Sequence, residues 1–429
     1  MLFDELSSNF QVVMTTDSSN PLNNIIVWDP TNGTTLTQFR GGISAPRTLC
    51  LINQHYVISA EKNRPVINVW DLGKRDQGHL HSICGGQVTA LSTTPDGAYC
   101  IAGIEDKLHV WNLASGELVS VLSRHYQQIR VIRFTDDGSY FLSGGEDSMV
   151  VVWSFPSILL QERNPVGEVE PKGVWLPHSL PITDICIGAG GFLARVLTSS
   201  LDHTVKLFNL GTGQLLLSVI FDSPIHSVAM DQLMQYGFCG TQDGLIRLIN
   251  FHQPPRTVEH QVTEEERQTM TLQGHTKEVT CLDVSLDGIQ LLSGSADATV
   301  KLWHVPSRQC LRTIKHKGPI TNAIFILPFD LMLHSGSKKA LVKPPMSILS
   351  RGIEEKSKDK ACVLLKGQML QIFSVDRKND EIGPTEAEDL SEQISAGAGV
   401  GEMQEEIIQL RNVNRRIYDY VVETLLPKK

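Results

Sequence analysis

The sequence predicts an all-β protein built from seven copies of one small antiparallel sheet, and three observations support this prediction. First, an apolar strand that follows a polar turn and ends in a large apolar residue recurs along the chain. These terminal residues, called anchors here, are Trp28, Trp70, Trp111, Trp153, Phe208, Ile249 and Trp303. Second, successive anchors lie 42, 41, 42, 55, 41 and 54 residues apart. Third, both long spacings contain a polar insertion, at 156–177 and 251–272, and removing the insertions restores one period.

A period of ~40–45 residues with a strand that ends in Trp is typical of a β-propeller blade, which is a sheet of four antiparallel strands. Four short strands cannot bury both faces of their sheet. The blades therefore stack side by side and close into a ring, which removes exposed strand edges. The seven anchors predict a seven-bladed β-propeller, which we assign to residues 1–330.

The order of strands along the chain predicts how the ring closes. Each blade is expected to begin with an apolar inner strand, such as "EVTCLDV" in the last blade. The chain instead opens with "FQVVMTTDS" and "NIIVWD", which correspond to the middle strands of a blade. The missing inner strand is expected after the last anchor, in "GPITNAIFIL" at 318–327. We therefore predict that residues 318–327 supply the innermost strand of the first blade.

One blade has a pattern specific enough to indicate a family. The segment "GHTKEVTCLDVSLDGIQLLSGSADATVKLW", from Gly274 to Trp303, is similar to the WD-repeat pattern almost position by position. That resemblance implies a buried structural network that consists of His275, Ser293, Asp297 and Trp303. A buried indole or imidazole needs such partners, and each hydrogen bond contributes ~1 kcal/mol net. A catalytic triad would need an exposed nucleophile and an oxyanion site, and the sequence contains no "GxSxG".

Other blades carry partial copies of this set. The matching turn residues are Asp106, Asp147, Asp202 and Asp243, and the expected equivalents of His275 are His125 and His178. The sequence contains no "GxxxxGK[ST]" phosphate loop, no "HExxH" and no CxxC pair. A net charge of −9 argues against a basic nucleic-acid-binding face, and no apolar run reaches the ~20 residues of a membrane span. We expect no catalytic, cofactor-binding or metal-binding residues, no membrane contact and no enzymatic activity.

After the ring, the composition changes three times. Residues 331–380 are expected to be irregular with a hairpin at 363–375, and residues 381–401 have the acidic, Gly-containing composition of a linker. Residues 402–426 predict a C-terminal α-helix in a short coiled coil, because apolar positions alternate spacings of 4 and 3. The predicted seam is Met403, Ile407, Leu410, Asn414, Ile417 and Val421. This pattern favours a parallel homodimer, with a helix packed on its own propeller as the open alternative.

Longer segments, among them "VLSRHYQQIRVIRFT" and "NRRIYDYV", resemble the WD-repeat protein 18 family over nearly the whole chain. The fungal counterpart is the Ipi-type propeller subunit of the Rix complex. The resemblance implies a non-enzymatic scaffold in large ribosomal subunit assembly and pre-rRNA processing, located in the nucleolus and nucleoplasm, with the cytoplasm as a further location. The implied partners are a large helical-repeat scaffold protein, a second helical partner, the pre-ribosomal particle and, indirectly, an AAA-type remodelling ATPase.

Two other functions stay open. A generic protein-interaction propeller in signalling or chromatin-linked assemblies would share the features of the ring. A ubiquitin-ligase substrate receptor often carries W-D-x-R after a blade, whereas Trp28 is followed by "DPT" and Trp70 by "DLG". Because rigid scaffolds present function on loops, we expect the insertions at 156–177 and 251–272 to carry partner contacts together with the C-terminal helix.

Overall fold

The computed structural model describes residues 11–19, 25–72, 79–163, 169–252, 257–328 and 346–352. These residues form a seven-bladed β-propeller with 29 strands in seven sheets. The sheets are called blades 1 to 7 in the order in which their anchors follow along the chain. Within each blade the strands are given from the innermost to the outermost.

The first four blades have four antiparallel strands each. Blade 1 consists of β29 (Ile320–Ile326), β1 (Val12–Asp17), β2 (Ile25–Trp28) and β3 (Thr35–Phe39). Blade 2 consists of β4 (Cys50–Ile52), β5 (Tyr56–Ala60), β6 (Val66–Asp71) and β7 (His79–Ile83). Blade 3 consists of β8 (Val88–Thr93), β9 (Tyr99–Ile104), β10 (Lys107–Asn112) and β11 (Leu118–Ser123). Blade 4 consists of β12 (Ile129–Phe134), β13 (Tyr140–Gly145), β14 (Val150–Ser154) and β15 (Gly173–Trp175).

The other three blades follow the same plan, with one added edge strand. Blade 5 consists of β16 (Ile182–Ile187), β17 (Arg195–Ser200), β18 (Thr204–Asn209), β19 (Leu215–Ile220) and the parallel strand β23 (Glu259–Gln261). Blade 6 consists of β20 (Ile225–Met230), β21 (Tyr236–Thr241), β22 (Leu245–Asn250) and β24 (Thr271–Gln273). Blade 7 consists of β25 (Val279–Val284), β26 (Gln290–Ser295), β27 (Thr299–His304) and β28 (Gln309–Lys315).

The first blade is completed by a strand from far downstream in the chain. β29 pairs antiparallel with β1, with Val12 opposite Ile326 and Met14 opposite Ile324. This strand lies inside the 318–327 segment from which the sequence predicted it. The ring is therefore closed by pairing between the first and the last of the described strands.

The blades pack on each other through their anchors. Each anchor lies in an apolar cluster shared with the preceding blade. Trp70 packs with Val12 and Met14 of blade 1, and Trp303 packs with Phe238 of blade 6. Six of the seven anchors are buried, and Trp28 is partly exposed. The regular spacing of the anchors in the sequence therefore corresponds to the regular packing of neighbouring blades.

A side-chain hydrogen bond also crosses every junction between blades. At the junction of blades 7 and 1, for example, Thr280 Oγ1 donates to the backbone carbonyl of Ile320 over 2.8 Å. The donors at the seven junctions, starting from blade 1, are Asn322, Cys50, Thr89, Arg133, Thr183, Ser227 and Thr280. Because each acceptor is a carbonyl of the next blade, these bonds fix the inner rim of the ring.

The two insertions contain regular structure that their polar composition did not indicate. The first contains most of helix α1 (Phe155–Arg163) and the whole of β15, the outer strand of blade 4. The second contains β23, the short helix α2 (Glu264–Thr269) and nearly all of β24. Thr263 and Glu266 form a capping box at the start of α2. Both insertions therefore supply outer strands of the ring as well as surface.

The compact unit that contains the ring extends to Glu354. It includes residues 346–352, which the sequence analysis placed in the irregular region after the ring. The hairpin expected at 363–375, the linker at 381–401 and the helix at 402–426 lie outside the described residues, as do all six seam positions from Met403 to Val421. They stay predictions.

Candidate functional site: blade networks and outer surfaces

The four network residues of blade 7 lie together in one chain of hydrogen bonds. The indole Nε1 of Trp303 donates to Ser293 Oγ over 2.8 Å. Ser293 Oγ lies 2.7 Å from His275 Nε2, and His275 Nδ1 lies 3.1 Å from Asp297 Oδ2. The β-strands β26 and β27 hold Ser293 and Trp303 side by side, while His275 and Asp297 come from turns at the same end of the blade.

The chemistry of the four groups fixes the direction of this chain. Burial lowers the pKa of His275, so the imidazole is neutral at pH 7 despite the nearby Asp297 carboxylate. Burial also acts to raise the pKa of Asp297, but hydrogen bonds from Thr299, the Thr276 N–H and His275 outweigh it and the pKa lies below its usual value. His275 Nδ1–H therefore donates to the carboxylate, and Nε2 accepts the Ser293 hydroxyl.

This arrangement has the composition of a Ser-His-Asp triad but not its accessibility. Ser293 is 0% exposed, and its oxygen already accepts the Trp303 indole N–H. A nucleophilic serine needs an exposed oxygen with a substrate carbonyl beside it. The geometry therefore supports the structural interpretation of the four residues.

Blades 4 and 5 contain the copies that the sequence analysis expected. His125 bridges Asp147 and Ser143, and Trp153 donates to the same Ser143 over 3.0 Å. In blade 5 the equivalent histidine, His178, bridges Asp202 and Thr198. Here the anchor is Phe208, which has no N–H to donate, so the chain ends at the Thr198 hydroxyl.

A fourth network, in blade 1, was missed by the sequence analysis. Trp28 Nε1 donates to Thr15 Oγ1 over 2.8 Å, and Thr15 Oγ1 lies 3.2 Å from His316 Nε2. His316 Nδ1 lies 3.5 Å from Asp17 Oδ2. The signal was present, since His316 precedes the inner strand by four residues, as His125, His178 and His275 do. It was overlooked because this strand belongs to a blade whose other strands lie some 300 residues upstream.

Blades 3 and 6 have no such network, although both carry the turn aspartate. The hydroxyl position holds Ala102 in blade 3 and Cys239 in blade 6, and the histidine position holds Cys84 and Phe221. All four are buried apolar side chains. Asp106 and Asp243 therefore have no histidine to bind, and the structure does not bring them into a site.

The inner strands carry a cluster of charged side chains. Asp184 on β16 is 5% exposed and lies 3.4 Å from Arg47 Nε of blade 2 and 3.8 Å from Arg133 Nη2 of blade 4. Asp283 on β25 accepts the backbone N–H of Phe325 and of Val284. Burial raises the pKa of Asp283 to about 6, against these hydrogen bonds and the Arg133 charge. The contact between Arg47 and Asp184 connects blades 2 and 5, which are not neighbours in the ring.

The insertions place large apolar side chains at the outer surface. Leu160 on α1 is 64% exposed and Leu176 after β15 is 74% exposed. Val258 before β23 is 52% exposed. In the described part of the chain no group of His, Cys, Asp and Glu side chains is placed to hold a metal ion. Among the same residues no helix has the length and apolar character of a membrane span.

Comparison with known proteins places this architecture in a family. Residues 116–154 and 266–304 match the family described as WD domain, G-beta repeat. The chain is 38% identical to WD repeat-containing protein 18 of Homo sapiens over 425 residues. This alignment covers 97% of this chain and 98% of the human protein. The chain belongs to the WD repeat-containing protein 18 family.

Two further relatives extend this finding. WD repeat-containing protein 18 of Danio rerio is 36% identical over 435 residues, or 98% of this chain and 99% of the fish protein. The pre-rRNA-processing protein pro-1 of Caenorhabditis elegans is 28% identical over 343 residues, or 78% of this chain and 64% of the worm protein. The WD repeat-containing protein 18 family thus shares the whole length of this chain, and a more distant relative shares most of it.

Proposed function

We propose that this protein is a non-enzymatic scaffold subunit that acts in large ribosomal subunit assembly and pre-rRNA processing in the nucleolus and nucleoplasm. The observation that carries the proposal is the similarity to WD repeat-containing protein 18 over nearly the full chain, together with the similarity to a protein named for pre-rRNA processing. A closed ring whose polar networks are buried offers a rigid surface for binding, which fits a scaffold.

The burial of the candidate nucleophile supports the non-enzymatic part of the proposal. Ser293 and Ser143 each accept an indole N–H and lie beneath the surface of their blades. Their removal is expected to affect stability and not a chemical step. Purified protein that turns over a small-molecule or peptide substrate, with loss of turnover in Ser293→Ala, would contradict this part.

The partners we propose are a large helical-repeat scaffold protein and a second helical partner. Both would bind the surfaces formed by the insertions, where Leu160, Leu176 and Val258 are exposed. Exposed apolar side chains on rigid elements are suited to contact apolar faces of helices. An AAA-type remodelling ATPase would act on the same pre-ribosomal particle without direct contact.

Affinity purification of the tagged full chain from cells tests the proposal as a whole. The expected result is co-purification of ribosome-assembly factors, together with accumulation of large-subunit rRNA precursors when the protein is depleted. Recovery of a ligase adaptor, or of neither class with normal precursor levels, would contradict it.

The insertion surface is tested by Leu176→Asp, which is expected to weaken co-purification of the helical-repeat partner without unfolding the ring. Leu233→Asp is the matched control, because Leu233 is 71% exposed but lies in the turn between β20 and β21 of blade 6. If both variants recover the partner as the natural chain does, the first insertion is excluded as the contact.

Homodimerisation through Met403, Ile407, Leu410, Asn414, Ile417 and Val421 is a separate proposal that rests on the sequence pattern. Ile407→Asp places a charge in the predicted seam and is expected to halve the solution mass measured by light scattering. If the solution mass does not change, the predicted seam does not hold a dimer together.

A further inference from the structure

Residues 346–352 return to the ring after its last strand and lie between blades 2 and 3. Three of their backbone N–H groups donate to the ring: Ser347 to the Leu113 carbonyl, Leu349 to Ser82 Oγ and Ser350 to the Gly116 carbonyl, over 2.7–3.1 Å. These contacts join residues more than 230 positions apart in sequence. The groove is formed by the outer strand of blade 2 and the turn between the last two strands of blade 3.

The segment has one buried side chain, Leu349, and Met346 packs partly buried against the same core. Leu349 is 6% exposed and lies in the apolar core that blades 2 and 3 share, beside Trp111. Its neighbour Ile348 points the other way and is 63% exposed. The segment is therefore held as an extended peptide is, by backbone hydrogen bonds and one buried side chain.

Blade 3 offers this peptide an indole donor that blades 1, 4 and 7 use internally. In blades 1, 4 and 7 the anchor indole donates to a Thr or Ser hydroxyl of its own blade. Blade 3 has Ala102 at that position, and Trp111 Nε1 instead donates to the Ser350 carbonyl over 2.8 Å. The Leu118 N–H donates to Ser350 Oγ over 3.0 Å. The groove thus contains an indole N–H that finds its acceptor in the docked peptide and not in blade 3.

We propose that the groove between blades 2 and 3 is a binding site for an extended peptide with a leucine followed by a serine, and that residues 346–352 occupy it in cis as an exchangeable ligand. The partner it fits is a segment of another protein that places a leucine beside Trp111 and a carbonyl at its indole. Because the cis segment belongs to the same chain as the groove, it competes with any partner peptide without having to diffuse to the site. A partner peptide therefore has to bind more tightly than the cis segment, or the cis segment has to be withdrawn first.

The direct test is binding of a fluorescent peptide with the sequence of residues 345–353 to the full chain, followed by anisotropy. Leu349→Asp removes the cis anchor and is expected to bind the peptide at least tenfold more tightly than the natural chain does. Ile348→Asp is the matched control, since Ile348 is exposed, and should bind as weakly as the natural chain. A peptide with Asp in place of its leucine should not bind. Folded Leu349→Asp protein that does not bind the peptide overturns the proposal.

Hydrogen exchange keeps the proposal testable if Leu349→Asp does not fold. In the natural chain the amides of Ser347, Leu349 and Ser350 are expected to be protected, but to exchange at least tenfold faster than those of the inner strands, because the segment opens locally. Exchange as slow as that of the inner strands would mean that the segment is a permanent part of the ring. Exchange without protection would mean that it is not docked. Either result overturns the proposal.

Two matched glycine variants distinguish the loss of docking from the effect of strain in the turn. Gly116 and Gly213 occupy equivalent turns with φ of 77° and 70°. A Cβ at Gly116 would overlap the Ile348 carbonyl, whereas a Cβ at Gly213 would meet only Trp175 Nε1 at 3.2 Å. Gly116→Ala is expected to abolish protection of the three amides, and Gly213→Ala to preserve it. Equal protection in both variants would contradict the docking.

Discussion

A single position in each blade decides whether its interior is polar or apolar. It is the fourth residue of the second strand, which is Thr15, Ser59, Ala102, Ser143, Thr198, Cys239 or Ser293 in blades 1 to 7. In blades 1, 4, 5 and 7 a hydroxyl at this position binds a histidine. In blades 3 and 6 an apolar residue at this position lies opposite Cys84 or Phe221. Each histidine thus occurs with a hydroxyl, because a buried imidazole without a partner would be costly. The reverse does not hold, since blade 2 has Pro46 at the histidine position and Ser59 pairs with Thr48 instead.

Ser293→Ala is expected to destabilise the protein by about 1–3 kcal/mol, because it leaves the Trp303 indole and His275 Nε2 without their shared partner. Denaturant unfolding followed by tryptophan fluorescence measures the loss. The control is Ser307→Ala, which removes an exposed hydrogen bond to His304 and should change stability by less than about 0.5 kcal/mol. Equal effects of the two substitutions would contradict the buried network.

Asp283 gives the ring a pH dependence of known sign. Its pKa is about 6 in the folded protein, above the usual value of 3.8, so the folded state binds the proton more tightly than the unfolded state. The stability from protonation is complete below about pH 4 and is lost as the pH rises through 6. Asp283→Asn stays neutral, so its stability relative to the natural chain should increase as the pH rises from about 4 to 6 and stay constant above that. If the two proteins lose stability in parallel across this range, the assignment is contradicted. The histidines are the same in both proteins, so their contribution to the pH dependence cancels in the comparison.

The sequence could identify the residue set of blade 7 because all four members lie within 30 positions that match a known pattern. It could not identify His316, whose partners Thr15 and Trp28 are at the other end of the chain. It also placed Asp106 and Asp243 with the network aspartates, since a turn residue looks the same whether or not a histidine faces it.

At the scale of elements, the outer strands depend on partners that the sequence does not show. β15 has three residues and β23 has three, too few for an alternating pattern to be visible. β23 pairs in parallel with β19 and covers the edge of blade 5. Covering an edge in this way limits unwanted pairing with other chains. The polar composition of the insertions therefore correctly predicted exposed segments, but it did not indicate the short strands within them.

Helix α1 is held by two buried side chains, Phe155 at its first position and Ile158 one turn later. Ile158 is 1% exposed and packs into the core shared by blades 3 and 4, whereas Leu160 on the same helix is 64% exposed. Ile158→Ala should cost about 2–5 kcal/mol through the cavity it leaves. Leu160→Ala should change stability by less than about 0.5 kcal/mol. Thermal denaturation compares the two, and equal midpoints would contradict the docking of α1.

At the scale of the whole molecule, stability depends on closing the ring. The seven junctions each have an anchor and a hydrogen bond from an inner side chain to the next blade. Loss of the inner strand β29 removes the hydrogen bonds of two junctions and exposes the edge of β1 in blade 1. The number of blades and the origin of the closing strand were predictable, because the anchors recur at one period and the first blade begins without an inner strand. The docking of residues 346–352 was not, because it depends on contacts with residues more than 230 positions upstream in the chain.

Thermal unfolding, followed by circular dichroism, tests this closure most directly when residues 318–327 are replaced by a Gly/Ser sequence of the same length. A chain with the same replacement at 333–342, which follows the closing strand in sequence, is the control. The account predicts that the first chain loses the cooperative transition of the natural protein and that the control keeps it. If the first chain unfolds with the midpoint and cooperativity of the natural protein, the ring is not closed by β29.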